Sequence, residues 1–235
     1  DVVFHLAAQA LVRESYKKPL YTWQTNLEGS INILESLKSL THECKVIMIT
    51  TDKVYKNLEW DYGYRETDQL GGKDPYSASK AAAEIAISSW RSSFCGEKDF
   101  QSPYLAIATA RAGNVIGGGD WSKDRLIPDL IKAITTNNSI SIRNPSHTRP
   151  WQHVLEPLSG YLSLAENLTF SNKDIQLYSI CSAFNFGPTI ESNKSVLEVV
   201  KEVNKHWQVK WKEISNENKP HEANRLHLEI NKAYN

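Results

Sequence analysis

The chain has 235 residues, 40% hydrophobic and 23% charged, an ordinary globular mix with room for one large domain or two small ones. Its 27 Lys and Arg balance 27 Asp and Glu, which argues against a dedicated nucleic-acid surface but leaves room for a local basic pocket. The sparse cysteines Cys44, Cys95 and Cys181 suit neither a disulfide framework nor a zinc site. With no apolar run of the ~18 residues that a membrane span needs, the expected setting is cytoplasmic, without nucleic-acid or membrane partners.

Residues 1–8 form an apolar run without alternation, which predicts a buried parallel strand. The chain opens on Asp1 in mid-pattern, so it is expected to be a fragment. Leu27, Ile31, Leu34 and Leu37 recur at helical spacing and predict a helix over Thr22–Leu40. Lys45–Thr51 reads as a second strand, followed by a turn-rich loop that ends in Gly71-Gly72. Asp74 is a good N-cap and Pro75 suits a first helical turn, so a helix is expected to start there and run through Ala81-Ala82-Ala83-Glu84. Leu105–Ala112 reads as a third strand. Strands alternating with helices at this spacing predict an α/β fold, a Rossmann-like doubly wound parallel sheet.

Beyond Arg111 the pattern loosens. Helices are expected at Ile127–Thr136, Leu155–Leu168 and Val196–His206, the last followed by Gln208–Trp211, with strands at Ser141–Arg143 and Leu177–Cys181. Residues 1–112 are assigned to the sheet domain with the catalytic residues. Residues 113–235 are assigned mainly to a smaller, interwoven substrate lobe, with 155–185 returning to the sheet.

Tyr76 and Lys80 stand four apart at the start of the Asp74 helix and therefore share a face. A phenol ordinarily ionises near pH 10, too high for a base, but a nearby ammonium and a helix N-terminus both favour the phenolate. Such a tyrosine can take a proton from a hydroxyl. The bland alternative is an amphipathic surface pair. Thr50-Thr51-Asp52-Lys53 closes the preceding strand, where open α/β sheets bind ligands. A strand that simply ends in polar turn residues would look the same.

Those residues carry a resemblance. His5-Leu6-Ala7-Ala8-Gln9, Thr51-Asp52 and Tyr76-Ser77-Ala78-Ser79-Lys80 resemble the extended short-chain dehydrogenase/reductase superfamily. Several segments narrow it to the CDP-glucose 4,6-dehydratase family: Thr51-Asp52-Lys53, Gly71 to Ser77, Arg111 to Trp121, Asp124 to Asp129, and Arg143 to Pro157. The resemblance spans essentially the whole chain. It implies that Tyr76 deprotonates the hydroxyl at sugar carbon 4 as hydride passes to NAD, while Thr51 binds that oxygen. Lys80 would hold the nicotinamide ribose and lower the Tyr76 pKa. Water would then leave across carbons 5 and 6 with Asp52 as the acid, and re-reduction would give a 4-keto-6-deoxy sugar. Lys53 departs from the wider dehydratase pattern, which has glutamate there. A buried lysine can act as a base or can stabilise an enolate, and the sequence leaves both open.

By the same resemblance Leu6, Ala7, Ala8 and Thr50 join Tyr76 and Lys80 around NAD. Gln9, Asn114, Arg125, Arg143, Arg149 and Gln152 would meet the nucleotide-sugar substrate, CDP-glucose, with the arginines as candidates for its diphosphate. Trp121 and Trp151 are candidates to stack on the base, and His153 and His221 are read as structural or rim residues. Gly117-Gly118-Gly119 lacks the spacing and position of a dinucleotide loop. The glycine-rich loop of this fold would precede Val2, so the piece is expected to lack both ends and to be poorly folded or inactive alone. The intact protein is expected to be a dimer or tetramer. Two other readings stay open: a related epimerase or reductase, for which Asp52-Lys53 would have no leaving hydroxyl to serve, and a non-catalytic binder, which would have no need of Thr51, Tyr76 and Lys80.

Overall fold

The computed structural model describes residues 1–96, 98–168, 180–214 and 225–234. Four parallel strands form its main sheet: β1 (Val2–His5), β2 (Cys44–Ile49), β3 (Leu105–Ala112) and a last strand, Ala183–Phe186, in that spatial order. β3 is buried along all eight residues, as a central strand covered on both faces must be. β1 departs from expectation. Val2 and Phe4 stay exposed, because only one side of this edge strand packs on the molecule.

Helices cover both faces. Helix α1 (Val12–Lys17) has no counterpart in the sequence reading: six residues are too few to show a helical period. Then α2 (Pro19–Trp23), a π-helical turn (Gln24–Glu28) and α3 (Gly29–Leu37) form one continuous run in place of the helix expected from Thr22. α4 (Pro75–Phe94) starts where the cap residues predict, with the Asp74 carboxylate accepting from Ser77 N at 2.9 Å. Leu34 of α3 with Ala83 and Ile87 of α4 packs on Val46, Met48 and Ile107. On the opposite face Tyr161, Leu164 and Ala165 of the helix at Leu155–Asn167 pack on Ile47, Ala106 and Ala108. The result is a three-layer α/β/α unit, the Rossmann-like fold expected from the strand–helix alternation.

Past β3 some elements return to the main sheet and others pack apart from it. In order come β4 (Val115–Ile116), α5 (Leu126–Thr135), β5 (Ser139–Ile142), β6 (Thr148–Pro150), β7 (Gln152–His153) and α6 (Leu155–Asn167). They are followed by β8 (Ala183–Phe186), β9 (Asn193–Ser195), α7 (Val196–His206), β10 (Lys210–Glu213) and α8 (Asn231–Tyr234). β5 and β10 pair in parallel, and Leu130, Ile142, Val200 and Val209 close a separate core among α5, β5 and α7. A capping box at Ser195 and Glu198 starts α7.

The strand expected at Leu177–Cys181 falls partly on 177–179, outside the described residues. Cys181 itself lies in a bend, and the strand that joins β3 is β8. Asn185 breaks the apolar run of β8, yet it is fully buried because Tyr64 O and Glu229 O accept from its amide and Tyr55 Oη donates to its Oδ1. Among the described residues no helix is long and apolar enough to cross a membrane.

Gly72 sets the position of α4. A methyl group built there would lie 2.3 Å from Ala78 N and Ser77 C, both backbone atoms of the first two helical turns. Backbone cannot step aside as a side-chain tip can. Gly72→Ala is therefore expected to destabilise the fold by about 1–3 kcal/mol, measured by denaturant unfolding, and to displace the turn that carries Tyr76. An unchanged midpoint would show that the helix start tolerates the shift.

Candidate active site

The carboxyl ends of β2 and β3, the start of α4 and the β4–α5 region enclose one cleft of about 900 Å³. Thr50, Thr51, Lys53, Tyr76, Asn114, Arg125, Arg143 and Arg149 all line it, together with Trp121 and Trp151. Residues from separate parts of the chain, from α1 to Leu226, thus converge at the strand ends, as expected for an open α/β sheet.

Asp52 lies directly behind this wall, fully buried. Thr51 Oγ1 donates to its Oδ1 at 3.0 Å, and Lys53 Nζ donates to the same oxygen at 3.0 Å. Its Oδ2 is buried without a partner and faces Gly113, where a methyl group would sit only 3.0 Å away. An orphaned carboxylate oxygen in a closed space is costly to keep and is a common mark of a proton-handling group.

Tyr76 is buried, and burial pushes its phenol pKa up. Lys53 and the Thr51 hydroxyl pull the other way, in that order, without reversing the direction. The expectation that Lys80 lowers the Tyr76 pKa is not met among the leading influences: the cation that acts most on the phenol is Lys53, with a smaller contribution from Arg125. The reason is orientation. Lys80 Nζ turns to the end of β2 and donates to Ile49 O at 3.2 Å, and its charge also depresses the half-buried His5 at the end of β1, after burial itself. Burial lowers the Lys80 pKa to about 8, with Glu84 pulling it back up.

Lys80 belongs to a buried polar network that no local pattern announces. Glu84, one turn further along α4, pairs with Arg111 at 2.7 Å, both almost fully enclosed. Glu84 also accepts from Thr50 Oγ1 at 2.5 Å and Thr109 Oγ1 at 3.1 Å. Burial alone would raise its pKa, but the bonds and charge of Arg111, with the two threonines, hold it below the usual carboxylate range. Arg111 further donates to Tyr55 Oη at 2.8 Å and to Glu66 O at 3.1 Å. The network thus fixes the residue just before Thr51 to the helix that carries Tyr76 and Lys80. Its only trace in the sequence is the four-residue spacing of Lys80 and Glu84.

Two substrate candidates are not brought to the cleft. Gln9 is buried and spent inside the fold: its amide donates to Thr22 Oγ1 at 2.8 Å, and its carbonyl accepts from Leu11 N at 2.6 Å. Asn26, in the π-helical turn, bonds both Gln9 backbone groups and Ser79 Oγ, so it ties the end of β1 to α4. Gln152 is also buried, its amide donating to Phe186 O at 3.4 Å and its backbone N to Asn114 O. Leu6, Ala7 and Ala8 sit past the end of β1, outside the cleft lining, with Leu6 exposed. His153 is exposed and its Nδ1 accepts from Leu155 N, while His221 lies outside the described residues.

Asn114 Oδ1 is buried without a partner at the cleft wall. Arg125 pairs with Asp120 at 2.8 Å, Arg143 with Asp124 at 3.0 Å, and Arg149 donates to Thr148 O at 2.8 Å. The Trp151 indole donates to Lys194 O, and Trp121 stands largely exposed at the rim. Arg13, from α1, also reaches the cleft, and no sequence signal marked it. The arrangement sets the Tyr76 phenol, the Thr51 hydroxyl and the Lys53 ammonium in the cleft lining, with the Asp52 carboxylate and the Lys80 ammonium buried outside it and several guanidinium groups lining the cleft elsewhere.

Comparison with known proteins shows the family and the fold. Residues 1–235 match the family described as GDP-mannose 4,6 dehydratase. The chain is 45% identical over 235 residues to a CDP-glucose 4,6-dehydratase of Salmonella typhimurium, covering 99% of this chain and 64% of that protein. It is 26% identical over 224 residues to a CDP-paratose 2-epimerase of Salmonella typhi, covering 86% of this chain and 61% of that one. Thus it spans less than two thirds of either relative. Among solved structures, a dTDP-glucose 4,6-dehydratase from Streptomyces venezuelae with NAD bound superposes at a TM-score of 0.80 and 17% identity, over 99% of this chain and 66% of that one. A UDP-glucuronic acid 4-epimerase from Bacillus cereus, in complex with UDP-glucuronic acid and NAD, gives 0.79 at 22% identity, over 99% and 68%. At such identities the likeness is one of fold.

Proposed function

Because the chain belongs to the GDP-mannose 4,6 dehydratase family, we propose that it carries the catalytic centre and much of the substrate site of a sugar-nucleotide 4,6-dehydratase that acts on CDP-glucose with NAD. The single observation that carries the reading is Asp52. A buried carboxylate with one unpartnered oxygen, set against Thr51 and Lys53 beside Tyr76, suits an enzyme that must protonate a departing hydroxyl. An epimerase has no such group to expel. The division into a sheet unit through residue 112 and a substrate lobe beyond it, with the segment ending near β8 returning to the sheet, belongs to the same proposal.

The residues present fit the nicotinamide end of NAD. Lys80 holds a buried ammonium at the end of β2, one turn from Tyr76, and the exposed Leu6 lies close by in sequence after β1. Lys80, Tyr76 and Thr50 would hold that end. When bound, NAD supplies the oxidant for carbon 4 and the reductant for carbon 6. Tyr76 takes the proton of the carbon 4 hydroxyl, helped by Lys53, whose charge offsets part of the burial that raises the phenol. Thr51 orients that oxygen. Asp52, through its unpartnered oxygen, takes the carbon 5 proton and delivers it to the carbon 6 hydroxyl, which departs as water, while Lys53, paired with Asp52, supplies positive charge to the enolate that forms between the two steps. Arg125, Arg143 and Arg149 draw in the diphosphate, and Asn114 Oδ1 accepts from the substrate.

The test is incubation of the intact protein with CDP-glucose and NAD, followed by mass spectrometry and by absorbance of the 4-keto product in base. Loss of one water without net NADH is expected. An unchanged mass with altered stereochemistry would replace this reading with an epimerase.

The pH dependence has a definite sign. Lys80 must keep its charge to hold the cofactor ribose, and its pKa is lowered to about 8. As pH rises through that value the ammonium is lost, so the NAD affinity of the intact protein, measured by titration, is expected to weaken above it, whereas kcat/KM also follows the Tyr76 phenolate, which grows with pH. An NAD affinity unchanged to pH ~10, the range of an ordinary lysine, would contradict this role for Lys80.

A further inference from the structure

Arg13 and Arg143 come from distant parts of the chain and meet on one atom. Arg13 Nη1 lies 3.3 Å, and Arg143 Nη1 3.0 Å, from Asp124 Oδ1. α1 supplies Arg13, the segment after β5 supplies Arg143, and the loop before α5 supplies Asp124; all three line the cleft. Asp124 adopts a left-handed backbone with φ +63°, a conformation that costs energy in a residue with a side chain. Arg13 Nε is buried without a partner, so one face of that fork is unused. Two cations are thus gathered around a single carboxylate oxygen, inside a cleft, at the expense of a strained backbone.

We propose that Arg13 and Arg143 form a paired guanidinium site for the diphosphate of the substrate, in which Asp124 is a built-in counterion that the diphosphate displaces. This rests on the nucleotide-sugar reading of the cleft, and it adds Arg13, a residue outside the substrate lobe, to the groups that hold the ligand. The exchange is favourable on chemical grounds. Both Asp124 pairs are partly exposed to water and therefore weak. A diphosphate offers more charge and several oxygens, which suits two forks at once. Asp124 keeps the two guanidinium groups together in the empty cleft and, once displaced, frees the loop before α5 from α1.

Calorimetric titration of the intact protein with CDP and with inorganic pyrophosphate tests this. Arg13→Gln is expected to weaken both ligands by on the order of tenfold and Arg13→Lys to weaken them less, because a point charge remains where a fork was. Asp124→Asn is expected to tighten both by about threefold, since the competing charge is gone. Unaltered thermal unfolding and NAD affinity in the variants establish that the fold is intact. If Arg13→Gln binds CDP and pyrophosphate as the parent does, or Asp124→Asn weakens them, the paired site is wrong even where CDP-glucose is turned over. If CDP-glucose is not turned over but pyrophosphate affinity still depends on Arg13 and Asp124 as stated, the paired site stands and the CDP-glucose reading falls.

Discussion

Tyr76→Phe is expected to lower kcat for CDP-glucose by roughly 10²–10⁴-fold, the usual contribution of a positioned proton acceptor, with KM nearly unchanged. The substitution removes one oxygen from a side chain that is otherwise packed as a hydrophobe at the start of α4. The ring keeps its place, so binding is retained. What is lost is the group that Thr51 and Lys53 act upon, the two influences that pull the phenol pKa down against burial. Steady-state measurement of 4-keto product separates kcat from KM. A variant that retains more than about a tenth of the parental kcat would remove Tyr76 from the chemistry.

Glu84→Gln should be the most damaging change away from the cleft. It keeps the side-chain shape but leaves Arg111 buried without its countercharge, and removing one member of a buried pair costs about 3–5 kcal/mol. Urea unfolding measures this, and replacing Glu84 and Arg111 together by methionine is expected to restore much of the loss. The same change has a second consequence. The Glu84 charge raises the Lys80 pKa against burial, so its removal should move the alkaline limb of NAD affinity below about 8. A merely structural Glu84 would lower stability and leave that limb where it was.

The sequence by itself determined the parallel sheet, because β2 and β3 are unbroken apolar runs and α4 carries its own start signal in Asp74 and Pro75. It also placed Thr51, Tyr76 and Lys80 near one another, since a strand end and a helix start are fixed by local pattern. Tertiary structure alone decided how those side chains point. Gln9 and Gln152 turned inward because buried amides must find partners, and only the packed neighbours show where those partners are. Lys53 rather than Lys80 leads the cations that act on Tyr76 because orientation, not spacing along the helix, sets electrostatic reach. Arg13 and Arg143 stand 130 positions apart in the chain, and nothing local to either could announce their meeting on Asp124. Local pattern encodes which elements form, and the burial of charge that tunes this site arises only when those elements are brought together.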